Sequence, residues 1–146
     1  MSDANIFQWP IRVYWEDTDA GGIVIYANYL KYFERARTEW LRSLGIGQRS
    51  LKDTTGGMFV VSETTLRYLR PARLDDRLAV TAHLAAKGRA SLTLQQQALL
   101  ISEQGNEDSR GLSPIVLCEG SIRIGWVDAQ TLQPARIPNN ILEALP

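Results

Sequence analysis

The chain has 146 residues, 45% of them hydrophobic, and its 16 basic and 16 acidic side chains leave no net charge at neutral pH. This length predicts a single domain over residues 1–146 with a core of its own. The balanced charge excludes a broad surface for nucleic acid or an anionic membrane. No apolar run reaches the roughly 20 residues that a membrane-spanning helix requires, so we expect no transmembrane segment.

The chain contains one cysteine, Cys118, and one histidine, His83. A single cysteine excludes an internal disulfide and fits a reducing compartment, so the sequence predicts a cytoplasmic protein. Residues 1–8 lack the basic and apolar regions of a signal peptide. One cysteine and one histidine, without paired spacing, argue against a zinc site, and we expect no bound metal.

The first predicted element is a strand over residues 11–16, in which alternate residues from Ile11 to Trp15 face the core. An acidic loop follows, where Asp17 and Asp19 precede a double glycine, and it runs directly into the longest helical pattern. A carboxylate beside a glycine turn at a helix N-terminus can act as a base or a nucleophile, next to backbone donors for an anion. Such aspartates also commonly cap the following loop or helix, which is the alternative interpretation.

A long helix is predicted from Tyr29 to Leu44, where the hydrophobic spacing becomes helical. Asn28 is expected to be its N-cap, and Gly45 is expected to end it as the C′ residue. The apolar arc covers about half of the helical wheel. Such a helix needs covering on more than one side, so we expect a sheet that curves around it.

Arg37 is a charged residue whose direction lies inside this apolar arc. In one interpretation its stem packs against the core while its guanidinium reaches solvent. In the other it forms a buried ion pair with a carboxylate of the loop at 16–19 or with Glu63, and this ion pair braces the loop.

Four strands with short polar links follow the helix, at residues 58–69, 78–85, 91–102 and 115–127. Residues 87–90 are predicted to form a hairpin turn and residues 103–113 an exposed hairpin tip, and helical turns are expected near 48–52 and at 141–145. Strands linked in this way pair antiparallel, which predicts an α+β fold: one long central helix wrapped by a curved antiparallel sheet of about five strands. The open edges of such a sheet favour pairing with another copy, so we expect a homodimer.

Four segments resemble a known family, namely residues 13–24 (VYWEDTDAGGIV), 26–29 (YANY), 33–41 (FERARTEWL) and 69–76 (LRPARLDD). They resemble the 4-hydroxybenzoyl-CoA thioesterase family, and within it the Tol-Pal-associated (YbgC-type) acyl-CoA thioesterases. The resemblance covers nearly the whole chain and implies the hotdog fold, working as a dimer or a tetramer of dimers. It also implies hydrolysis of a small acyl- or aryl-CoA to the free acid and CoA, with no cofactor other than the coenzyme A of the substrate.

The resemblance assigns the essential carboxylate of the family to Asp19. This residue is expected either to attack the thioester carbonyl or to activate a water that does so. The backbone N–H of Tyr26 matches the family's oxyanion donor, and the helix dipole adds to it. Gly21 and Gly22 are expected to let the backbone approach the thioester. Asp17 is expected to support the loop.

Lys87 and Arg89 match positions where family members bind the phosphates of coenzyme A, and a solvated hairpin turn is the alternative. Many YbgC-type sequences carry histidine where this chain has Tyr26. A backbone donor survives this exchange, whereas an imidazole role does not, so the acyl preference stays open.

Two other functions are compatible with the predicted fold. A hotdog dehydratase would use a histidine with a carboxylate, and His83 lies in no matching motif, which disfavours this reaction. A non-catalytic or weakly active binding or scaffold protein of the Tol-Pal cell-envelope system is the main alternative. That role would place the cytoplasmic protein at the inner face of the cell envelope.

Overall fold

In the computed structural model, which describes residues 6–102 and 114–146, the chain forms three α-helices and five β-strands. Their bounds, in chain order, are β1 Phe7–Arg12, α1 Asn28–Ser43, α2 Gln48–Thr55, β2 Gly57–Tyr68, β3 Arg77–Lys87, β4 Ser91–Ser102, β5 Ile115–Asp128 and α3 Asn139–Ala144. The hairpin tip predicted at 103–113 lies outside the described residues.

The five strands of this described part join in one antiparallel sheet with the order β1-β3-β4-β5-β2. The long helix α1 packs against β1, β3 and β4, and the hydrophobic core lies between the helix and the sheet. The predicted α+β arrangement is therefore confirmed. The expectation that successive strands pair is wrong for β2, which pairs with β5 instead of β3 and forms one edge of the sheet.

The C-terminal end of α1 confirms the role predicted for Gly45. This glycine has a φ of +83°, in the left-handed region that glycine tolerates best. Its N–H donates to Arg42 O at 3.0 Å, and the N–H of Ile46 donates to Leu41 O at 2.9 Å. Both bonds define a Schellman motif, which satisfies two carbonyls at the end of the helix.

The N-terminal end of α1 differs from the prediction. The N-cap is Ala27, and Asn28 is the first helical residue. The side chain of Asn28 does not accept a helix N–H. Its Nδ2 instead donates to the carbonyl of Asp17 at 2.8 Å.

The first strand lies earlier in the chain than predicted. β1 ends at Arg12, and residues 15–17 form a 3₁₀ turn in which Trp15 is 78% exposed. The chain turns here because the Asp17 carboxylate accepts the N–H of Tyr14 at 2.9 Å. The alternation of residues 11–16 was therefore a misleading strand signal, since a local side-chain bond outweighs it.

Arg37 adopts neither of the two predicted arrangements. It is 8% exposed, and its Nη1 donates to Oε1 of Gln96 at 3.1 Å. Nε2 of Gln96 in turn donates to the carbonyls of Phe33 and Thr81 at 3.1 and 3.0 Å. Within residues 6–102 and 114–146 Arg37 forms no ion pair. Burial lowers the pKa of its guanidinium, because the charged form is poorly solvated.

Two neighbouring strands, β5 and β2, approach each other closely at Gly120 of β5. A Cβ at this position would overlap Cδ2 of Leu66, and it would lie 2.9 Å from Thr65 O and 3.5 Å from Cε2 of Phe33. The lack of a side chain at Gly120 therefore leaves room for Leu66 and for the Thr65 carbonyl of the neighbouring strand β2.

We expect the substitution Gly120→Ala to lower the free energy of unfolding by about 1–3 kcal/mol, because it overpacks this contact. Gly125→Ala on the same strand is the matched control, since a Cβ there would meet only Ala90 O at 3.9 Å. Urea denaturation of both variants measures the difference. Equal destabilisation by the two substitutions would contradict this account of Gly120.

Candidate active site

The acidic loop forms a small hairpin between the 3₁₀ turn and α1. Thr18 pairs with Val24 in an antiparallel bridge. The N–H of Asp19 donates to Ile23 O at 3.0 Å, and the N–H of Gly22 donates to Asp19 O at 3.0 Å. Gly22 has a φ of +77°, in the left-handed region that the tight turn requires. Hydrogen bonds within the loop backbone thus fix its conformation.

The exposed carboxylate of Asp19 is oriented by this backbone. Its Oδ1 accepts the N–H of Gly21 at 2.8 Å and the N–H of Ile23 at 3.3 Å. A Cβ at Gly21 would lie 3.3 Å from that oxygen, so the absence of a side chain at Gly21 avoids a tight contact with the carboxylate. Among the residues that the structure describes, Oδ2 accepts no hydrogen bond. One oxygen is therefore held in place, and the other can meet a substrate.

Tyr26 lies beside this hairpin, immediately before Ala27, the N-cap of α1. Its side chain is 70% exposed. Its backbone N–H donates no hydrogen bond to any described residue, which is typical of the first donors of a helix. The partial positive charge of the helix N-terminus reinforces such a donor. A carboxylate and an unpaired N–H therefore belong to one compact loop, a combination that can stabilise an oxyanion.

Asp17 and Asn28 close the base of the hairpin, and both are buried. The carbonyl of Asp17 accepts the N–H of Ile25 at 3.0 Å and Nδ2 of Asn28 at 2.8 Å. The carboxylate of the same aspartate accepts the N–H of Tyr14. Asp17 therefore supports the loop, as predicted, and it is not exposed to a substrate.

Tyrosine rings line the space next to the hairpin. The rings of Tyr26 and Tyr68 meet edge to face with centroids 6.2 Å apart, and those of Tyr29 and Tyr68 lie 5.7 Å apart. The hydroxyl of Tyr29 accepts the N–H of Ala72 at 3.1 Å, and burial raises the pKa of that tyrosine. Tyr68 was missed in the sequence, because its place at the end of a strand carries no local functional signal.

The connection between β2 and β3 braces the hairpin from one side. The N–H of Val24 donates to Ala72 O at 2.9 Å, and the N–H of Leu74 donates to Gly22 O at 3.0 Å. Ile23 also pairs with Arg73 in an antiparallel bridge. The hairpin is therefore anchored next to the residues that lead into β3.

Lys87 and Arg89 lie at the opposite end of the molecule from Asp19. β3 has 11 residues and ends at Lys87, so it separates the hairpin turn from Asp19 by about 30 Å. The N–H of Ile137 donates to Arg89 O at 2.8 Å, which brings Arg136 to the same turn. Arg136 was missed in the sequence because this contact is long-range. One chain alone does not bring these three cations to the carboxylate.

The remaining candidate residues lie away from the hairpin. Glu63 is exposed beside an irregularity of β2, and His83 pairs with Gln95 of β4. Burial raises the pKa of the Cys118 thiol to about 12, so this cysteine is a core residue and not a nucleophile. In the described part of the chain, no group of three His, Cys, Asp or Glu side chains could hold a metal ion. No helix there is long and apolar enough to cross a membrane.

Known proteins share both the sequence and the fold. Residues 13–145 match the family model of the Thioesterase-like superfamily. The chain is 34% identical over 140 residues to "Acyl-CoA thioesterase YbgC" of Haemophilus influenzae, covering 96% of this chain and 94% of the relative. It is 35% identical over 140 residues to "Acyl-CoA thioester hydrolase YbgC" of Escherichia coli, covering 96% of each.

Solved structures show the same architecture. A probable thioesterase from Bartonella henselae superimposes with a TM-score of 0.77 at 27% identity, over 91% of this chain and 99% of that one. A mutant 4-hydroxybenzoyl-CoA thioesterase complexed with 4-hydroxybenzoyl-CoA gives a TM-score of 0.84 at 16% identity, over 97% and 99% of the two chains, and so shows the fold. The chain therefore belongs to the thioesterase-like superfamily, and it is a thioester hydrolase with the hotdog fold.

Proposed function

We propose that the protein hydrolyses a small acyl- or aryl-CoA to the free acid and CoA, with Asp19 as the nucleophile or general base. The observation that carries this proposal is the Asp19 carboxylate, which is oriented through one oxygen while the other is unpaired among the described residues. The relatives named acyl-CoA thioesterases support the substrate class.

The reaction has two routes that share one donor. Asp19 attacks the thioester carbonyl to give a mixed anhydride that water then hydrolyses, or it takes a proton from a water that attacks the carbonyl directly. In both routes the carbonyl oxygen becomes an oxyanion, the C–S bond breaks and CoA leaves as the thiolate, which takes a proton from protonated Asp19 in the general-base route and from water in the nucleophilic route. The backbone N–H of Tyr26 stabilises that oxyanion, and one such donor typically contributes about 3 kcal/mol to lowering the barrier. Gly21 and Gly22 admit the thioester to the hairpin.

The exposed edge of the sheet supports a homodimer, within which the site is completed. Val61 and Tyr68 on β2 are 51% and 49% exposed, and β2 has a neighbour on one side only. In this proposal two copies pair antiparallel through β2, because an open strand edge favours such pairing. The dimer itself, a tetramer built from two dimers and a cytoplasmic location stay predictions.

The same pairing explains the distant cations. Tyr68 lies at the Asp19 end of β2 and Gly57 at the end near Lys87. Antiparallel pairing about the middle of β2 brings the Gly57 end of one subunit beside Tyr68 of the other. The partner subunit's hairpin turn, between its β4 and β3, then lies about three to four strand spacings, or about 15–20 Å, from Tyr68. The CoA phosphates bind there, to Lys87, Arg89 and Arg136 of the partner subunit.

Asp19→Asn is expected to lower kcat by on the order of 10²- to 10⁴-fold, because the amide can neither attack nor accept a proton. Release of CoA from short-chain, long-chain and aromatic acyl-CoA measures the effect with a thiol reagent. Cys118 is buried and adds little background. Asp53→Asn, an exposed aspartate of α2, is the matched control and should keep full activity.

Two results would contradict the assignment in different ways. Full turnover by Asp19→Asn would remove Asp19 from the mechanism while leaving the activity in place. No release of CoA by the native protein from any substrate would favour the binding or scaffold role in the Tol-Pal cell-envelope system instead.

Arg89→Gln is expected to raise KM for acyl-CoA about tenfold without a change in kcat, since one charge-assisted phosphate contact is lost. KM for the corresponding acyl-pantetheine, which lacks the nucleotide, should not change. Arg49→Gln on α2 is the control for lost surface charge.

Mixed dimers test whether the cations come from the partner. A dimer of one Asp19→Asn subunit and one Arg89→Gln subunit retains one native site if each site combines Asp19 and Arg89 from different subunits. Purified mixed dimers should then show the native KM at half of the native kcat. An elevated KM in the mixed dimer would place both residues in the same subunit and contradict the proposed pairing.

A further inference from the structure

We propose that Asn28 is a positioning residue for the hydrolysis, because its side-chain amide ties the start of α1 to Asp17 and so holds the Tyr26 N–H in register with the Asp19 carboxylate. This inference rests on the proposed function of the Asp19 hairpin. It concerns a group that does not touch the substrate.

The tie consists of three hydrogen bonds that meet at the base of the hairpin. Nδ2 of Asn28 donates to Asp17 O at 2.8 Å, and the N–H of Ile25 donates to the same oxygen at 3.0 Å. The N–H of Asn28 donates to Ile25 O at 2.8 Å. Because a carbonyl can only accept, the amide group of Asn28 must present its NH₂ to Asp17.

The sequence positions explain how the tie acts on the site. Asp19 lies two residues after Asp17, and Tyr26 lies two residues before Asn28. The Asp19 carboxylate and the Tyr26 N–H therefore lie on opposite arms of the hairpin. The hydrogen bond between Asn28 and Asp17 joins these two arms at their base. A shift at this base moves the oxyanion donor relative to the carboxylate, and errors of about 1 Å in such geometry can cost on the order of 100-fold in rate.

Burial makes this hydrogen bond hard to replace with solvent. Asn28 is 8% exposed and Asp17 is 6% exposed. The titratable and charged groups near this base are the Asp17 carboxylate and the buried hydroxyl of Tyr32, together with the Tyr29 hydroxyl and the Arg35 guanidinium, which act on Tyr32. Burial, and after it the charge of Asp17, raises the pKa of Tyr32, so this hydroxyl stays neutral. Among the described residues it makes no hydrogen bond to the Asp17 carbonyl, so it does not substitute for the amide of Asn28.

Asn28→Asp removes the donor with almost no change of shape. At neutral pH the new carboxylate faces the Asp17 carbonyl and repels it, and we expect kcat for acyl-CoA to fall 10- to 100-fold with KM changed less than threefold. A protonated carboxyl can donate again, and burial favours that form, so the folded-state pKa of the new group is raised. The bond is then present at low pH and lost as the pH rises. The ratio of variant to native kcat should therefore increase as the pH falls from 8 to 5.

Asn140→Asp, at an exposed asparagine of α3, is the matched control and should match the native enzyme at every pH. A constant kcat ratio across this range, an unchanged kcat, or a rise in KM alone would overturn the proposal. If Asn28→Asp does not fold, Asn28→Ser, whose hydroxyl can still donate, is measured in the same way. It should lose less kcat than Asn28→Ala, and equal losses would overturn the proposal.

Hydrogen exchange separates this inference from the proposed function. The Ile25 amide donates to Asp17 O, so its protection reports the closed base without any turnover. In Asn28→Asp its protection factor should fall at least tenfold at pH 8 and recover towards pH 5, relative to Asn140→Asp. Unchanged protection would overturn the positioning role even in an active enzyme, whereas a native protein that hydrolyses no acyl-CoA would overturn the proposed function while the protection of Ile25 still reports the Asn28–Asp17 bond.

Discussion

The side-chain amide of Gln96 is the interaction on which the position of α1 depends. Its NH₂ group donates to the carbonyls of Phe33 in the helix and Thr81 in β3. Its oxygen accepts a hydrogen bond from the buried guanidinium of Arg37. A buried charge without an acceptor is costly, so the amide oxygen satisfies Arg37 while the NH₂ group of the same amide joins the helix to the sheet. The helix is held at its middle, and its N-terminus is thereby directed to the acidic hairpin.

At that N-terminus, backbone N–H groups orient the candidate site. Backbone N–H groups orient one oxygen of Asp19, and the N–H of Tyr26 is unpaired among the described residues. Groups that are already oriented need little reorganisation when charge develops. The topology of the sheet then explains the expected dimer. Because β2 is an edge strand whose two ends lie near the hairpin and near the distant cations, the proposed pairing through β2 would bring Asp19 of one subunit near the proposed phosphate-binding turn of the other.

Much of this architecture was predicted from local patterns, and two of the errors share one cause. The strand that was predicted over residues 11–16 stops earlier, because the carboxylate of Asp17 bends the chain at Tyr14. Asn28 was expected to accept a hydrogen bond as an N-cap, and it donates to Asp17 instead. In each case a side chain of the expected type formed a different hydrogen bond. Propensities describe what a residue commonly does, whereas the choice among possible partners depends on which groups the fold brings near.

The sequence by itself determined the elements whose signals lie within a few residues. These are the long amphipathic helix and its stop at Gly45, the strands that alternate from β3 to β5, and the carboxylate of Asp19 beside its glycines. Only the tertiary structure decided that β2 pairs with β5, that Arg37 meets Gln96, and that the cations of the hairpin turn lie far from Asp19 in one chain. Periodicity and turn chemistry are set by near neighbours. Partners that lie tens of residues apart are selected by packing, and no local pattern encodes that selection.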